Sequence, residues 1–189
     1  MKIPLFLRIA ITLVAGLLPT GLYAADPPKL GEKAPDFTLS TLDDQTIRLG
    51  DLTANGKVVL VLLRGWPGYQ CPLCTQQVHD YIAAAPGFAK AEAHVVMVYP
   101  GLVGDLKAHA KDFLSNKDWP KDFTFVIDPD FSMVNAYGLR WNAPNETSYP
   151  STFVLDRKGV IRFEKISHNH GDRTKATDIL EQLKGLRDN

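Results

Sequence analysis

Apolar and polar positions follow two rhythms along this chain, and the switches between them mark out its elements. Val58-Val59-Leu60-Val61-Leu62-Leu63 is unbroken, rich in β-branched residues and too short for a helix. It predicts a central strand over Lys57 to Leu63, buried on both faces. Val95-Val96-Met97-Val98 predicts a second central strand from His94 to Tyr99. Asp36 to Leu39 and Thr46 to Leu49 alternate apolar and polar about Asp43-Asp44-Gln45, the signature of an edge hairpin. A helical period predicts a helix from Thr75 to Ala85, stopped or bent at Pro86-Gly87, with a short continuation from Phe88 to Glu92. Val103 to Ser115 gathers Leu106, Ala110 and Phe113-Leu114 on one face, and Thr174 to Leu186 turns Ile179, Leu180, Leu183 and Leu186 inward. Between them lie a short strand, Phe123 to Ile127, and a short helix, Phe131 to Tyr137, closed by Gly138. Ser151 to Leu155 and Val160 to Ile166 form a hairpin about Asp156-Arg157-Lys158-Gly159. The order is hairpin, β, α, β, α, β, α, hairpin, α, which implies an α/β fold with a mixed central β-sheet, helices on both faces and an N-terminal β-hairpin.

The first residues do not fit this scheme. Met1-Lys2 and Arg8 precede an apolar core from Ile9 to Leu18, and Pro19, Gly21 and Ala24-Ala25 supply a breaker and small residues. This reads as a signal peptide over residues 1–25, cleaved after Ala24 or Ala25, with a periplasmic or secreted domain over 26–189. The uncharged stretch from Ile9 to Ala25 is short for the ~20 residues of a membrane span, which disfavours a retained anchor.

Composition adds limits. The chain has 189 residues, 45% apolar and 22% charged, with 21 basic against 21 acidic residues. One domain of ordinary globular usage is implied, and nothing in the charge suggests a nucleic-acid partner.

The chemistry concentrates at Cys71-Pro72-Leu73-Cys74, which holds the chain's 2 cysteines. An apolar strand, a loop and a Cys-x-x-Cys opening a helix make a redox site, because unpaired amides at a helix start favour a thiolate. Pro72 has the fixed φ suited to a first helical turn. In an exported protein the pair also reads as a structural disulfide. Two considerations oppose that: so short a loop constrains the unfolded chain little, and a domain of this size buries enough core without a staple. A structural zinc site needs about four ligands, and this pair supplies half. No cofactor is called for.

Three segments carry a family resemblance. They are Gly31-Glu32-Lys33-Ala34-Pro35-Asp36-Phe37-Thr38-Leu39, the strand leading into Cys71 to Cys74, and Tyr149-Pro150-Ser151-Thr152-Phe153-Val154-Leu155-Asp156-Arg157-Lys158-Gly159-Val160-Ile161. The chain resembles the alkyl hydroperoxide reductase/thiol-specific antioxidant family, peroxiredoxin-like redoxins of the thioredoxin fold. The resemblance implies a thiol-dependent oxidoreductase acting on a protein or small-molecule disulfide, a thiol or a hydroperoxide, with a membrane or periplasmic thiol reductant as partner. The family's Pro-x-x-x-Thr/Ser-x-x-Cys loop aligns with Pro67 to Cys74, with Cys71 where a hydroxyl residue is expected and Pro150 near the place of the family's late arginine. Both departures favour thioredoxin-type exchange. They imply a cis Tyr149–Pro150 bond packed against the cysteines and a more exposed Cys71 as nucleophile, with Cys74 resolving.

The neighbours are weighed individually. Arg64 either favours the thiolate, binds a carboxylate or sits in a surface salt bridge. Trp66 and Tyr69 form a substrate-facing rim or simply pack under the loop. Arg140 is a candidate to replace the missing arginine. Leu73 brings no positive charge, so no extreme thiolate pKa is expected. His79 reads as a surface residue rather than a base, and His94 and His109 have no evident partner in the sequence. His168 and His170 keep open a copper-binding assembly factor, since thiolates and imidazoles suit copper; no metal site is assigned. The leading expectation is exchange or antioxidant peroxide reduction, with exchange favoured, and a dedicated peroxidase is the alternative. The direction of transfer depends on the potential of the pair relative to its compartment.

Overall fold

The computed structural model describes residues 25–186, so the leader lies outside the described residues but for Ala25. Among the described residues one sheet of 7 strands runs in the order β2-β1-β5-β4-β3-β6-β7. The strands are β1 (Thr38–Thr41), β2 (Thr46–Arg48), β3 (Lys57–Leu62), β4 (Ala93–Gly101), β5 (Phe123–Pro129), β6 (Ser151–Leu155) and β7 (Ile161–Ile166). The helices are α1 (Leu49–Asn55), α2 (Pro72–Ala83), α3 (Ala85–Lys90), α4 (Leu106–Leu114), α5 (Ser132–Ala136) and α6 (Ala176–Gly185). The two unbroken apolar runs lie side by side at the centre as β3 and β4, paired in parallel from Lys57↔Ala93 to Leu62↔Val98. β6 pairs antiparallel on the other side of β3.

Strand alternation divides the core in two. Val59, Val61 and Leu63 face one side, against Val78 and Tyr81 of α2, Phe88 of α3, Phe113 of α4 and Ile179 of α6. Val58, Leu60 and Leu62 face the other, against Leu49 of α1 and Met133 and Val134 of α5. The sheet thus has helices on both faces, as its order of elements implies.

The departures from the sequence reading have local causes. α1 has no apolar stripe to announce it; Asp36, 14 residues before Gly50, accepts the Gly50 N–H at 2.9 Å near its start. β4 runs past Tyr99 because its register with β5 continues to Gly101↔Pro129. α4 starts at Leu106 rather than Val103, since Asp130 takes the Val103 N–H at 3.1 Å and holds the preceding turn outside the helix. Pro86 falls in the first turn of α3, where a missing N–H costs nothing, and so opens a helix rather than ending one.

After β3 the chain turns at Gly65, φ +69°, where an added Cβ would stand 1.9 Å from the Pro100 carbonyl oxygen. That same oxygen accepts the Trp66 N–H at 2.9 Å. Gly65→Ala must both adopt a disfavoured φ and push β4 away, and is expected to destabilise the fold by about 3 kcal/mol or more. Urea unfolding measures it, and a loss under about 1 kcal/mol would refute the close approach.

Candidate active site

β3 delivers the chain to a loop whose end is Cys71, the N-cap of α2, with Pro72 in the first turn. The Cys74 N–H donates to Cys71 Sγ at 3.3 Å, one of the donors that every helix start leaves unpaired. Both thiols are free. Cys71 is 3% exposed and Cys74 0%, so Cys71 is the more accessible of the two yet far less open than expected.

The two thiols are driven apart. The Cys74 thiol, the Cys74 amide and the charges of Arg173 and Arg64 outweigh burial and bring Cys71 down to about 5. Burial and the adjacent Cys71 push Cys74 well above the usual thiol range. Leu73 brings no charge, as expected, yet Cys71 is lowered, first by Cys74 within the Cys-x-x-Cys motif and further by cations outside it. Arg173 Nη2 stands 3.8 Å from Cys71 Sγ.

Arg173 is firmly held. Its Nη1 donates to Gln77 Oε1 at 3.1 Å and its Nε to the His170 carbonyl at 2.8 Å. The next residue, Thr174, meets Tyr81 Oη at 2.7 Å and Thr152 Oγ1 at 2.8 Å. Asp80 of α2 accepts the Ala176 N–H at 2.7 Å and so caps α6 from a neighbouring helix. Thr174 is thereby drawn out of the terminal helix, which starts two residues later than its periodicity suggests.

Arg64, 2% exposed, is an internal charge rather than a surface one. Its Nε donates to Glu146 Oε2 at 2.7 Å, its Nη1 to Tyr69 Oη at 2.5 Å and its Nη2 to the Asn145 carbonyl at 2.5 Å. Burial alone would lower its pKa; Glu146 and Tyr69 reverse that and raise it. Glu146 Oε1 is also bonded to His170 Nε2 at 2.8 Å. One carboxylate thus joins Arg64 to the loop bearing Arg173.

The other expected residues divide. Trp66 is stacked on His109 at 3.6 Å and packs against the core cluster that contains Cys71. Tyr69, 46% exposed, stands at the surface beside the cysteine loop with its hydroxyl on Arg64. Pro67 belongs to a neighbouring groove. Tyr149 stacks on Trp141 at 4.9 Å and meets His168 at 5.1 Å. Pro150 is buried, but the Tyr149–Pro150 bond is trans, against expectation. The Tyr149 N–H on the Leu139 carbonyl and the Ser167 N–H on the Pro150 carbonyl, both at 2.9 Å, lead the chain into β6 at a strand start, where a trans proline is well tolerated. Arg140 does not reach the thiols; it lies 4.0 Å over the Phe131 ring and bonds backbone carbonyls of Trp141, Glu146 and Thr147. His170 is engaged by Glu146 and His168 by Tyr149, and among the described residues no three potential metal ligands come together.

A low Cys71 pKa has a thermodynamic consequence. An unfolded thiol ionises at about 8.5, so between pH about 5 and that value the unfolded reduced chain holds a proton that folded Cys71 does not. Stability of the reduced protein should therefore rise with pH across that window and be lost as pH falls through about 5. Above it, the raised Cys74 opposes the trend. The urea midpoint of the reduced protein minus that of the disulfide form, followed with pH, isolates this effect; a flat difference would refute the shift.

Comparison with known proteins bears on the family and the fold. The AhpC/TSA family matches residues 30–164. The Helicobacter pylori (strain J99) protein named as peroxiredoxin bcp is 32% identical over 160 residues, 82% of this chain and 97% of its own length. The thioredoxin-like protein YneN of Bacillus subtilis is 33% identical over 132 residues, 70% of this chain and 68% of its own. The crystal structure of peroxidoxin BcpB from Mycobacterium tuberculosis shares the fold, with a TM-score of 0.65 at 21% identity, covering 84% of this chain and 98% of that one. A sheet of this order, carrying a helix-capping cysteine beside a second thiol and matching over most of its length, places the chain in the AhpC/TSA family of peroxiredoxin-like thiol oxidoreductases.

Proposed function

We propose that this protein is an exported peroxide-reducing redoxin in which Cys71 attacks and Cys74 resolves. The observation that carries the reading is an almost enclosed Cys71 with Arg173 Nη2 at 3.8 Å. A small hydroperoxide can enter where a folded protein disulfide is hindered, and a guanidinium steadies the charge that develops on the peroxide oxygens. The Cys71 thiolate attacks one peroxide oxygen, the O–O bond breaks, and the other oxygen leaves as water or an alcohol after taking a proton. Cys71 is then a sulfenic acid. Cys74 sulfur attacks Cys71 sulfur, water leaves, and the Cys71–Cys74 disulfide remains. An external thiol reductant returns the pair to the dithiol by exchange. Export rests on the leader read over residues 1–25.

A second reading, thiol–disulfide exchange, is favoured by the Cys-Pro-x-Cys spacing on a helix N-terminus and by the thioredoxin-like relative. Stopped-flow reaction of the reduced protein with hydrogen peroxide, alongside its reduction of insulin disulfides, separates the two. Peroxide consumption at least about 10³-fold above a free thiol at the same thiolate fraction is expected. Consumption at the free-thiol rate with rapid insulin reduction would establish exchange instead.

A further inference from the structure

A groove of about 450 Å³ opens beside residues 66–68 of the loop leading to Cys71, without Cys71 in its lining. Trp66, Leu102, Val103 and Phe131 give it apolar walls, and Arg140 lines it too. Two features set it apart. Leu102 and Val103 are 69% and 67% exposed, and they are held there: Asp130 fixes the Val103 N–H at 3.1 Å and its own N–H bonds the Gly101 carbonyl at 2.9 Å. Arg140 lines the groove with its guanidinium over the Phe131 ring, and its hydrogen bonds within the described residues all run from Nη1 to backbone carbonyls, leaving the Nε and Nη2 donors for a ligand. Among the described residues no carboxylate pairs with it, although burial lowers its pKa.

A half-buried guanidinium without a counter-ion attracts an anion, since its fork suits a planar oxyanion and it stays charged. The other charges limit how negative that anion can be. Glu146 is committed to Arg64 and His170, and Asp105 adds a negative rim. A single negative charge is matched; a phosphate dianion is not. The apolar walls then call for an aliphatic body, whose burial contributes about 0.8 kcal/mol per CH₂.

We propose that this groove binds a free aliphatic monocarboxylate, its head on Arg140 and its chain along Trp66, Leu102, Val103 and Phe131. The inference is independent of the thiol chemistry. The test is calorimetric titration of the reduced protein with sodium dodecanoate below its aggregation concentration, with butyrate and dodecyltrimethylammonium in parallel. One equivalent of dodecanoate should bind. Butyrate should bind at least about 100-fold more weakly, since it lacks eight methylenes, and the cation should not bind. Arg140→Gln, which keeps an amide donor for the carbonyls, should weaken dodecanoate binding by about 10- to 100-fold. Val103→Glu, at an exposed position, should do the same by repulsion and decides the matter if Arg140→Gln melts early. Absent dodecanoate binding, equal binding of the cation, butyrate binding as tightly as dodecanoate, or indifference to both substitutions would each overturn the proposal.

Discussion

Cys71→Ser is expected to lower single-turnover peroxide consumption by at least about 10³-fold, because a serine hydroxyl at a helix start remains protonated near neutrality. Cys74→Ser should keep the first turnover within a few-fold and stop there, with Cys71 as a sulfenic acid that dimedone traps and excess peroxide carries to sulfinic acid. The pair of variants decides between two assignments. Loop spacing alone puts Cys74 in the attacking place, eight positions along from Pro67 when both ends are counted. Burial and charge put Cys71 there, since Cys74 is 0% exposed with its thiol held protonated. If Cys74→Ser loses the reaction and Cys71→Ser keeps it, the roles are reversed.

Arg173→Met should raise the Cys71 pKa by about 1–2 units and slow peroxide reduction at pH 6 by about 10- to 100-fold, through loss of a charge at the sulfur. Iodoacetamide alkylation against pH reads the first effect and stopped-flow kinetics the second. Part of the deficit should persist at pH 9, where the thiolate is formed in both proteins and the arginine acts only on the departing oxygen. An unshifted alkylation midpoint would remove Arg173 from the mechanism. Arg64 is a poor substitute in this test. Its removal leaves Glu146 with His170 alone, and a broken buried pair costs about 3–5 kcal/mol, so lost activity would report misfolding as readily as lost chemistry.

The sheet was legible because two apolar runs with no polar break have few places to go but the middle of it, and the hairpins announce themselves by alternation. The Cys-x-x-Cys site was legible because its function is local: strand, loop, cap and helix are contiguous. What was not legible is long-range. Arg173 is 102 residues from Cys71, and the sequence around it signals nothing; the conspicuous residues of that loop are His168 and His170. Glu146 sits in a segment that reads as an ordinary loop, and its value comes from Arg64, 82 residues earlier. Arg140 reads as a stand-in for the missing arginine, but position along the chain does not set the direction of a side chain, and its guanidinium turns to Phe131 instead. The cis expectation at Pro150 was borrowed from a resemblance and not from the residues, and the strand entry there is built in the trans form.

The family match ends at residue 164, before Arg173 and before the helix that Asp80 caps. Residues 30–164 of this chain hold both sulfurs and Arg64, while a second nearby cation, Arg173, arrives on the segment that follows, fastened by the Thr174 hydroxyl and the Asp80 carboxylate. One determinant of the sulfur's reactivity is thus written far along the chain from the sulfur itself. A change at Arg173 alone can retune the sulfur, faster or slower, more acidic or less, with the sheet left as it is, much as a mouthpiece changes an instrument without recasting its body.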